Sequence, residues 1–275
     1  MNHPTIAFIG GGNMARSLIG GTIARGASPG SIRVAEPVEE LREALHREYG
    51  VETFATAAEA VDGASVWLFA VKPQVIRVVC TELAASARAA GDKALAISIA
   101  AGITSAQLSG WLQDATPVVR AMPNTPSLLG AGITGLFATP AASAAQREQA
   151  ETVLSAVGPV VWVDDEAQMD AVTAVSGSGP AYVFLLAEAM QAAGVAEGLP
   201  EQAARMLAAH TLLGASRMLV ESGEAADVLR KRVTSPGGTT QAAIETFQSG
   251  GFAELVGRAV AAAAARGREL AAANA

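Results

Sequence analysis

Short apolar runs alternate with amphipathic stretches through the first part of the chain. The runs that resemble strands are bounded by turn residues and are rich in β-branched and apolar side chains. They cover Thr5–Ile9, Ser31–Ala35, Ser65–Val71, Ala94–Ile99, Pro117–Ala121, Thr134–Ala138 and Val160–Val163. Helical patterns follow the first two strands, one ending near Arg25 and one covering Val38–Glu48. This repetition predicts a doubly wound parallel sheet with helices on both faces, the Rossmann-type α/β class.

The pattern changes after Asp164 and Asp165. From Glu166 onward, long helical stretches follow one another without a convincing strand, and Glu201–Glu221 carries apolar residues at helical spacing. Turn residues break the helices at Ser176–Pro180, Gly198–Pro200, Ser222–Gly223, Ser235–Gly238 and Gly250–Gly251. We therefore predict a dinucleotide-binding domain over residues 1–163. An all-helical domain over residues 164–275 should bury its apolar faces against a second copy.

Composition narrows the class of protein. Hydrophobic residues make up 51% of the 275 residues and charged residues 16%, which excludes a disordered chain. The net charge of −7 disfavours nucleic acid or an anionic membrane as the main partner. A single cysteine, Cys80, excludes an internal disulfide, and His3, His46 and His210 are too scattered to indicate a metal site. With no signal-peptide pattern and no long uncharged apolar stretch, we expect a cytoplasmic protein.

A glycine-rich turn follows the first strand. Gly10-x-Gly12-x-x-Ala15 opens a helix, so its backbone could approach a pyrophosphate while the helix N-terminus offers free N–H groups. A glycine turn without a ligand is the alternative, but the position after the first strand of an alternating chain favours a dinucleotide.

The end of the second strand carries an acidic residue. Glu36 is placed to accept hydrogen bonds from the adenosine ribose, which taken alone favours NAD over NADP. A solvent-facing carboxylate is the alternative. Arg33 and Arg42 are near enough in sequence to offset the charge, so the choice between the two dinucleotides stays open.

Further candidates lie where later strands end, at the edge that lines the ligand crevice in such sheets. Lys72, in the segment Ala70-Val71-Lys72-Pro73, could reach a phosphate or ribose, or could be an ordinary exposed lysine. Ser98–Gly102 and Ala121–Pro126 follow the next strands. Their small residues allow close approach to a flat ring, and Pro123 and Pro126 would hold Asn124 still.

Two Gly/Ser-rich turns open helices in the second half. Ser176–Ala181 carries Ser178 as a plausible helix cap, whereas Thr234–Thr240 offers hydroxyls and free N–H groups that suit a small carboxylate. Helix capping without a ligand is the alternative for both turns.

Together these motifs resemble those of a known enzyme family. IGGGNM, AVKP, SIAAG, RAMPNTP, AVSGSGPAY and TSPGGTT occur in the order found in pyrroline-5-carboxylate reductases, and the likeness spans essentially the whole chain. The resemblance implies reduction of 1-pyrroline-5-carboxylate to L-proline with NADPH or NADH. It also implies a Rossmann domain followed by a helical domain that forms a homodimer, and in many members a decamer.

The same resemblance assigns the site residues. Thr240 would be the catalytic residue that hydrogen-bonds the ring nitrogen, and Ser235, Gly238, Thr239 and Thr240 would bind the substrate. From the resemblance and from their positions at the strand ends, the residues expected to contact the dinucleotide are Ile9, Gly10, Gly11, Gly12, Asn13, Met14, Glu36, Ala70, Val71, Lys72, Pro73, Ala100 and Asn124. No metal is implied.

The motifs lack His, Cys and carboxylate groups, which argues against a reaction that needs a strong general base. One alternative is a β-hydroxyacid dehydrogenase or imine reductase. The dehydrogenases use a lysine on a glycine-rich helix, but the second domain has only Lys231, which precedes the SPGG turn. The other alternative is a non-catalytic dinucleotide sensor, which would need neither Gly/Ser-rich turn of the second half.

Overall fold

A computed structural model describes residues 4–273. His3 therefore lies outside the described residues. By their internal contacts the residues form two compact units. Unit 1 contains residues 4–178 together with 263–273, and unit 2 is Gly179–Ala262. Residues 164–178 pack with unit 1. The boundary at residue 163 between a dinucleotide-binding and a helical domain remains a prediction.

Unit 1 contains one eight-stranded sheet and its helices. Their bounds are β1 Ile6–Ile9, α1 Asn13–Ala24, β2 Ile32–Ala35, α2 Glu39–Tyr49, β3 Glu52–Phe54, α3 Ala57–Val61, β4 Val66–Phe69, α4 Pro73–Ala90, β5 Leu95–Ser98, α5 Ser105–Trp111, β6 Val118–Met122, β7 Thr134–Ala138, α6 Ala144–Leu154, β8 Val160–Trp162 and α7 Gln168–Val172. Every predicted strand is present, with bounds within two residues of those predicted.

The sheet has the order β3-β2-β1-β4-β5-β6-β7-β8. All neighbours are parallel except β6 and β7, which are antiparallel, so the prediction of a parallel sheet holds apart from this pair. Strand β3 was not predicted, because its three residues begin with the exposed Glu52. The chain leaves β1 toward β2 on one side and returns to β4 on the other, which places a switch point between β1 and β4.

Two buried layers hold the helices to the sheet. Apolar residues of α1, α2 and α6 cover one face, where Phe8 and Leu68 are fully buried. Residues of α3, α4 and α5 cover the other face around Trp67 and Phe69. Burial on both faces explains the uninterrupted apolar runs of β4 and β5 and confirms the doubly wound fold.

Helix α7 continues into a π-helical turn, Thr173–Gly177, and the first segment of unit 1 ends at the next residue, Ser178. Ser178 was predicted to cap a helix, but its backbone is helical (φ −85°, ψ −22°) and its N–H donates to the Thr173 carbonyl at 2.8 Å. A cap needs extended backbone, so the capping prediction for Ser178 is wrong. The chain passes through a widened turn here instead of breaking.

Unit 2 is helical throughout. It contains α8 Gly179–Ala196, α9 Glu201–Glu221, α10 Ala226–Arg232, α11 Thr239–Ser249 and the first part of α12, Phe252–Ala273. The four predicted breaks from Gly198 onward are confirmed, because each joins two of these helices.

The helices of unit 2 bury few of their apolar side chains. Helix α8 has no buried residue although it is rich in large apolar side chains, and Phe184 and Leu185 are 61% and 66% exposed. In α9 only Ala204 and Ala208 are buried. None of the helices in the described part of the chain is long and apolar enough to cross a membrane.

Candidate dinucleotide and substrate sites

The loop after β1 lies against the loop after β4. Gly10 has φ +103°, and a Cβ atom on it would lie 2.8 Å from the Ala70 carbonyl oxygen, so only glycine fits. The Ala70 N–H donates to the Ile9 carbonyl at 2.8 Å, which ties the two loops together. The structure thus brings together two segments predicted to contact the dinucleotide, at the switch point of the sheet.

The first turn of α1 is open. Gly12 and Asn13 are exposed, a Cβ atom on Gly12 would meet nothing within 4 Å, and no side chain caps the helix. Helices α3, α5 and α6 in contrast have complete capping boxes, from Thr56, Thr104 and Ser143. Uncapped N–H groups beside a side-chain-free backbone fit the diphosphate of a dinucleotide.

Glu36 is not the solvent-facing carboxylate that we considered as an alternative. It is only 8% exposed, its Oε2 accepts the Gly11 N–H at 3.1 Å, and its Oε1 accepts the Val38 N–H at 3.1 Å. The carboxylate therefore fixes the glycine loop against the end of β2. Its predicted contact with the ribose stays a prediction.

The two arginines near Glu36 differ in position. Arg33 donates to the carbonyls of Glu59 and Ala60 and lies over the Phe54 ring, so it is engaged at the end of α3. Arg42 Nη1 donates to the Glu36 and Pro37 carbonyls, both at 2.8 Å. Arg42 is thus the cation at the loop that follows β2. Sequence reasoning treated both arginines alike, and only the three-dimensional fold separates them.

Lys72 immediately precedes α4, whose first residue is Pro73 and whose N-terminus has no side-chain cap. The lysine is exposed, and it forms no ion pair with any residue in the described part of the chain. Val71 packs against the Gly10 loop, because a Cβ atom on Gly10 would lie 3.0 Å from its Cγ1. The segment 70–73 therefore presents a cation and an open helix end beside the glycine loop.

The loops after β5 and β6 carry the remaining candidates of unit 1. Ala100 is buried, and its N–H donates to Ser98 Oγ at 3.2 Å. The Asn124 amide bridges two segments, because its Nδ2 donates to the Ser176 carbonyl at 3.1 Å and its Oδ1 accepts the Ile133 N–H at 3.0 Å. Asn124 thus connects its loop to the π-helical turn. Its predicted contact with the dinucleotide remains a prediction.

In unit 2 the turn 234–238 leads directly into α11. Gly237 has φ +67° and its N–H donates to Gln241 Oε1 at 2.7 Å, so a side chain of the helix fixes the turn. The helix begins after Gly238 without a side-chain cap. Among the described residues, no hydrogen bond involves the hydroxyls of Ser235, Thr239 or Thr240. Hydroxyls and free N–H groups at a helix start suit a small anion, and the predicted substrate contact of these three residues remains a prediction.

Comparisons with known proteins agree with this arrangement. Residues 166–270 match the family model "Pyrroline-5-carboxylate reductase dimerisation", and residues 5–102 match "NADP oxidoreductase coenzyme F420-dependent". Over 98% of both chains, the sequence is 51% identical to a pyrroline-5-carboxylate reductase of Pseudomonas aeruginosa. It is 44% identical to that of Haemophilus influenzae over the same shares.

The chain belongs to the pyrroline-5-carboxylate reductase family. A solved pyrroline-5-carboxylate reductase from Coxiella burnetii has 43% identity and a TM-score of 0.94, covering 98% of this chain and 99% of that one. The expected activity class, an NAD(P)H-dependent oxidoreductase of proline synthesis, follows from this membership.

Membership in the pyrroline-5-carboxylate reductase family decides between the alternatives left by the sequence. The lysine that a β-hydroxyacid dehydrogenase would require is not available, because Lys231 is exposed on α10 and pairs with Asp227 at 2.9 Å. A sensor without catalysis would not need the turn that opens α11.

Proposed function

We propose that this protein reduces the C=N bond of 1-pyrroline-5-carboxylate to give L-proline, with the turn 234–240 as the substrate site. The observation that carries the proposal is the open N-terminus of α11 with three hydroxyls that have no partner among the described residues. A carboxylate is the anion that such a site suits, and the substrate has one. When bound, the reduced nicotinamide supplies the hydride that the imine carbon receives.

The chain's own contribution is to bind and orient the substrate. Ser235 and Thr239 would hold the carboxylate, and Gly238 places no side chain at the N-cap of α11. Thr240 would donate to, or orient, the imine nitrogen. A cyclic imine is basic enough to be partly protonated in water, so no strong acid is required. Catalysis would then rest on positioning.

Replacing Thr240 separates positioning from acid catalysis. Thr240→Ala should lower kcat measurably but by no more than about 10²-fold, because loss of a true general acid typically costs about 10²–10⁴-fold. Thr240→Ser, which keeps the hydroxyl, should recover most of the activity. The measurement is steady-state oxidation of reduced dinucleotide with 1-pyrroline-5-carboxylate. An unchanged kcat in Thr240→Ala would remove Thr240 from the mechanism.

For the dinucleotide we propose NADPH, with Arg42 as the residue that favours its 2′-phosphate. Support comes from the position of the Arg42 guanidinium on the carbonyls of Glu36 and Pro37, where the ribose-binding end of a Rossmann site lies. Glu36 would repel the 2′-phosphate less than its charge suggests, because both of its carboxylate oxygens already accept hydrogen bonds from backbone N–H groups. Arginine forms strong paired hydrogen bonds with phosphate.

The matched control for Arg42 lies on the same helix. Arg42→Ala should lower kcat/KM for NADPH by about tenfold or more and leave that for NADH within about threefold, since only NADPH loses a charged hydrogen bond. Arg47→Ala removes an exposed arginine that pairs with Glu43, and should change neither value. Equal losses with both dinucleotides in Arg42→Ala would contradict the assignment.

We also propose that the active form is a homodimer formed through unit 2, which can assemble further into a decamer. The exposed apolar residues of α8 support the dimer, since monomeric proteins rarely expose large contiguous apolar patches. A groove of about 630 Å³ lined by Leu186, Met190, Phe247 and Phe252 adds to this apolar surface.

A further inference from the structure

The end of α12 packs on a loop that borders the dinucleotide crevice. Residues of α12 from Ala263 onward belong to unit 1. A Cβ atom on Gly102 would lie 3.2 Å from Leu270 Cβ and 3.6 Å from the Ala271 nitrogen. Gly102 also has φ +69°, so the close contact and the backbone conformation both require glycine there. The last turns of α12 are thus seated directly on the loop between β5 and α5.

The side chain of Gln107 joins helix α5, the loop that precedes it and the end of α12. Gln107 Oε1 accepts hydrogen bonds from the Thr104 N–H at 2.8 Å and the Thr104 hydroxyl at 3.1 Å, which completes the capping box of α5. Its Nε2 donates to the Ala271 carbonyl at 3.2 Å. The capping box fixes which end of the amide points inward. The donor therefore faces the last described turn of α12.

The loop held in this way carries Ala100. Its start is fixed by the bond from the Ala100 N–H to Ser98 Oγ, and Ile103 is buried. Its end is fixed at Ser105, whose N–H donates to Glu166 Oε1 at 2.6 Å, and Glu166 in turn pairs with the buried Arg120. Between these anchors, at Gly102, the outer contact is with α12. The shape of the loop at the carboxyl end of β5 therefore depends on α12.

We propose that the last turns of α12, acting through Gln107 and Gly102, position the loop against which the nicotinamide ring is held. This rests on the proposed function and on the contact of Ala100 with the dinucleotide that the sequence analysis predicts. The pyrophosphate and adenosine would bind at β1, α1 and β2, so loosening the loop would leave most of the binding energy intact. It would instead reduce the fraction of bound rings in a productive orientation.

Gln107→Glu tests this with little change elsewhere. Glutamate preserves the capping box, because glutamate and glutamine serve equally there, but it replaces the donor to Ala271 with an oxygen that repels the carbonyl. The chain offers a matched control in Gln146. This residue completes the capping box of α6 with Ser143, and its Nε2 donates to the Asp92 carbonyl at 2.9 Å, before β5 and so at the other edge of the sheet.

Both variants lose the same kind of bond, so both should show a similar small fall in melting temperature. In Gln107→Glu we expect kcat to fall about tenfold while the Kd for NADPH stays within about twofold, because ring orientation and not affinity is lost. The fluorescence of the bound reduced nicotinamide at saturation should fall too. Gln146→Glu should change none of these three quantities. A chain that stops before Arg268, which lacks the contacts of Leu270 and Ala271, should behave like Gln107→Glu.

Three outcomes would overturn the proposal. They are unchanged kcat and fluorescence in Gln107→Glu, a parallel loss of NADPH affinity and kcat, and equal effects of the two glutamine variants. The fluorescence measurement needs no substrate. If the unaltered protein fails to reduce 1-pyrroline-5-carboxylate, the proposed function fails, while the fluorescence still reports whether α12 positions the ring.

Discussion

Glu36 shows how one buried carboxylate can serve structure before it serves binding. Its two oxygens accept the N–H groups of Gly11 and Val38, and thereby join the glycine loop, the end of β2 and the start of α2. Leu45 packs against the same loop, since a Cβ atom on Gly11 would lie 2.6 Å from its Cδ1. The glycine loop, which is predicted to bind the diphosphate, is therefore held in place by Glu36 and Leu45.

Glu36→Ala should consequently lower the stability of the fold and should weaken the binding of both dinucleotides to the same extent. The buried Gly11 N–H and the partly buried Val38 N–H lose their acceptor, and the loss at the buried group costs about 1–3 kcal/mol in the free energy of unfolding. We expect kcat/KM for NADPH and for NADH to fall together, with their ratio within about twofold, because the carboxylate supports the shared diphosphate loop. A shift of the ratio toward NADPH would instead show that Glu36 binds the ribose, as the sequence predicts. The two dinucleotides are assayed in parallel on the same preparation.

Features that depend on a single backbone position, such as the tight turn at Gly10, could be predicted from the sequence. Contacts between residues that are far apart in the sequence were harder to predict. The sequence does not show that Arg42, and not Arg33, lies at the loop after β2, because this depends on which face of the strand is covered. Nor does it show that Gln107 contacts Ala271, because the two residues are 164 positions apart in the chain.

At the level of elements, two glycines in helices of unit 1 have opposite roles. A Cβ atom on Gly21, in α1, would lie 2.5 Å from the Ala156 carbonyl oxygen, so α1 approaches the turn before β8 by lacking a side chain. A Cβ atom on Gly110, in α5, would have no neighbour within 4 Å. Glycine therefore serves close packing in α1 and has no packing role in α5.

Alanine at these two positions should shift stability in opposite directions. Gly21→Ala should lower the free energy of unfolding by about 1–3 kcal/mol through overpacking. Gly110→Ala should raise it by about 0.5–1 kcal/mol, because alanine loses less backbone entropy in a helix. Melting temperatures of the two variants provide the comparison. If both variants lose stability equally, the packing account of Gly21 is wrong.

Elements with a strong periodic signal were predicted well. In an alternating chain, the uninterrupted apolar runs of β4 and β5 are typical of parallel strands that are buried on both faces. The short β3 was missed because a strand of three residues gives no periodicity. The direction of β7 was not predicted, because parallel and antiparallel strands share one residue pattern. The π-helical turn was not predicted, because its glycine and serines are typical of a break between helices.

At the scale of the whole molecule, the exposed apolar surface of unit 2 is where we propose that a second chain binds. Leu185 is 66% exposed on α8, whereas Val78 is 58% exposed on α4 of unit 1. Leu185→Glu should convert the dimer to monomer or aggregate, because a charge cannot be buried unpaired in an apolar interface. Val78→Glu, a matched change outside unit 2, should leave the dimer intact. Light scattering after size-exclusion chromatography gives both masses. A dimeric Leu185→Glu variant would show that α8 is not the interface.

The central claim is that the chain transfers a hydride from a reduced nicotinamide to the imine carbon of 1-pyrroline-5-carboxylate. The most direct measurement uses NADPH that carries deuterium on the transferred position of the nicotinamide, and follows the product by mass spectrometry and NMR. We predict L-proline with one deuterium, on the ring carbon bonded to nitrogen that does not bear the carboxylate. Folded protein that binds NADPH but yields no labelled proline, with either dinucleotide, would contradict the account.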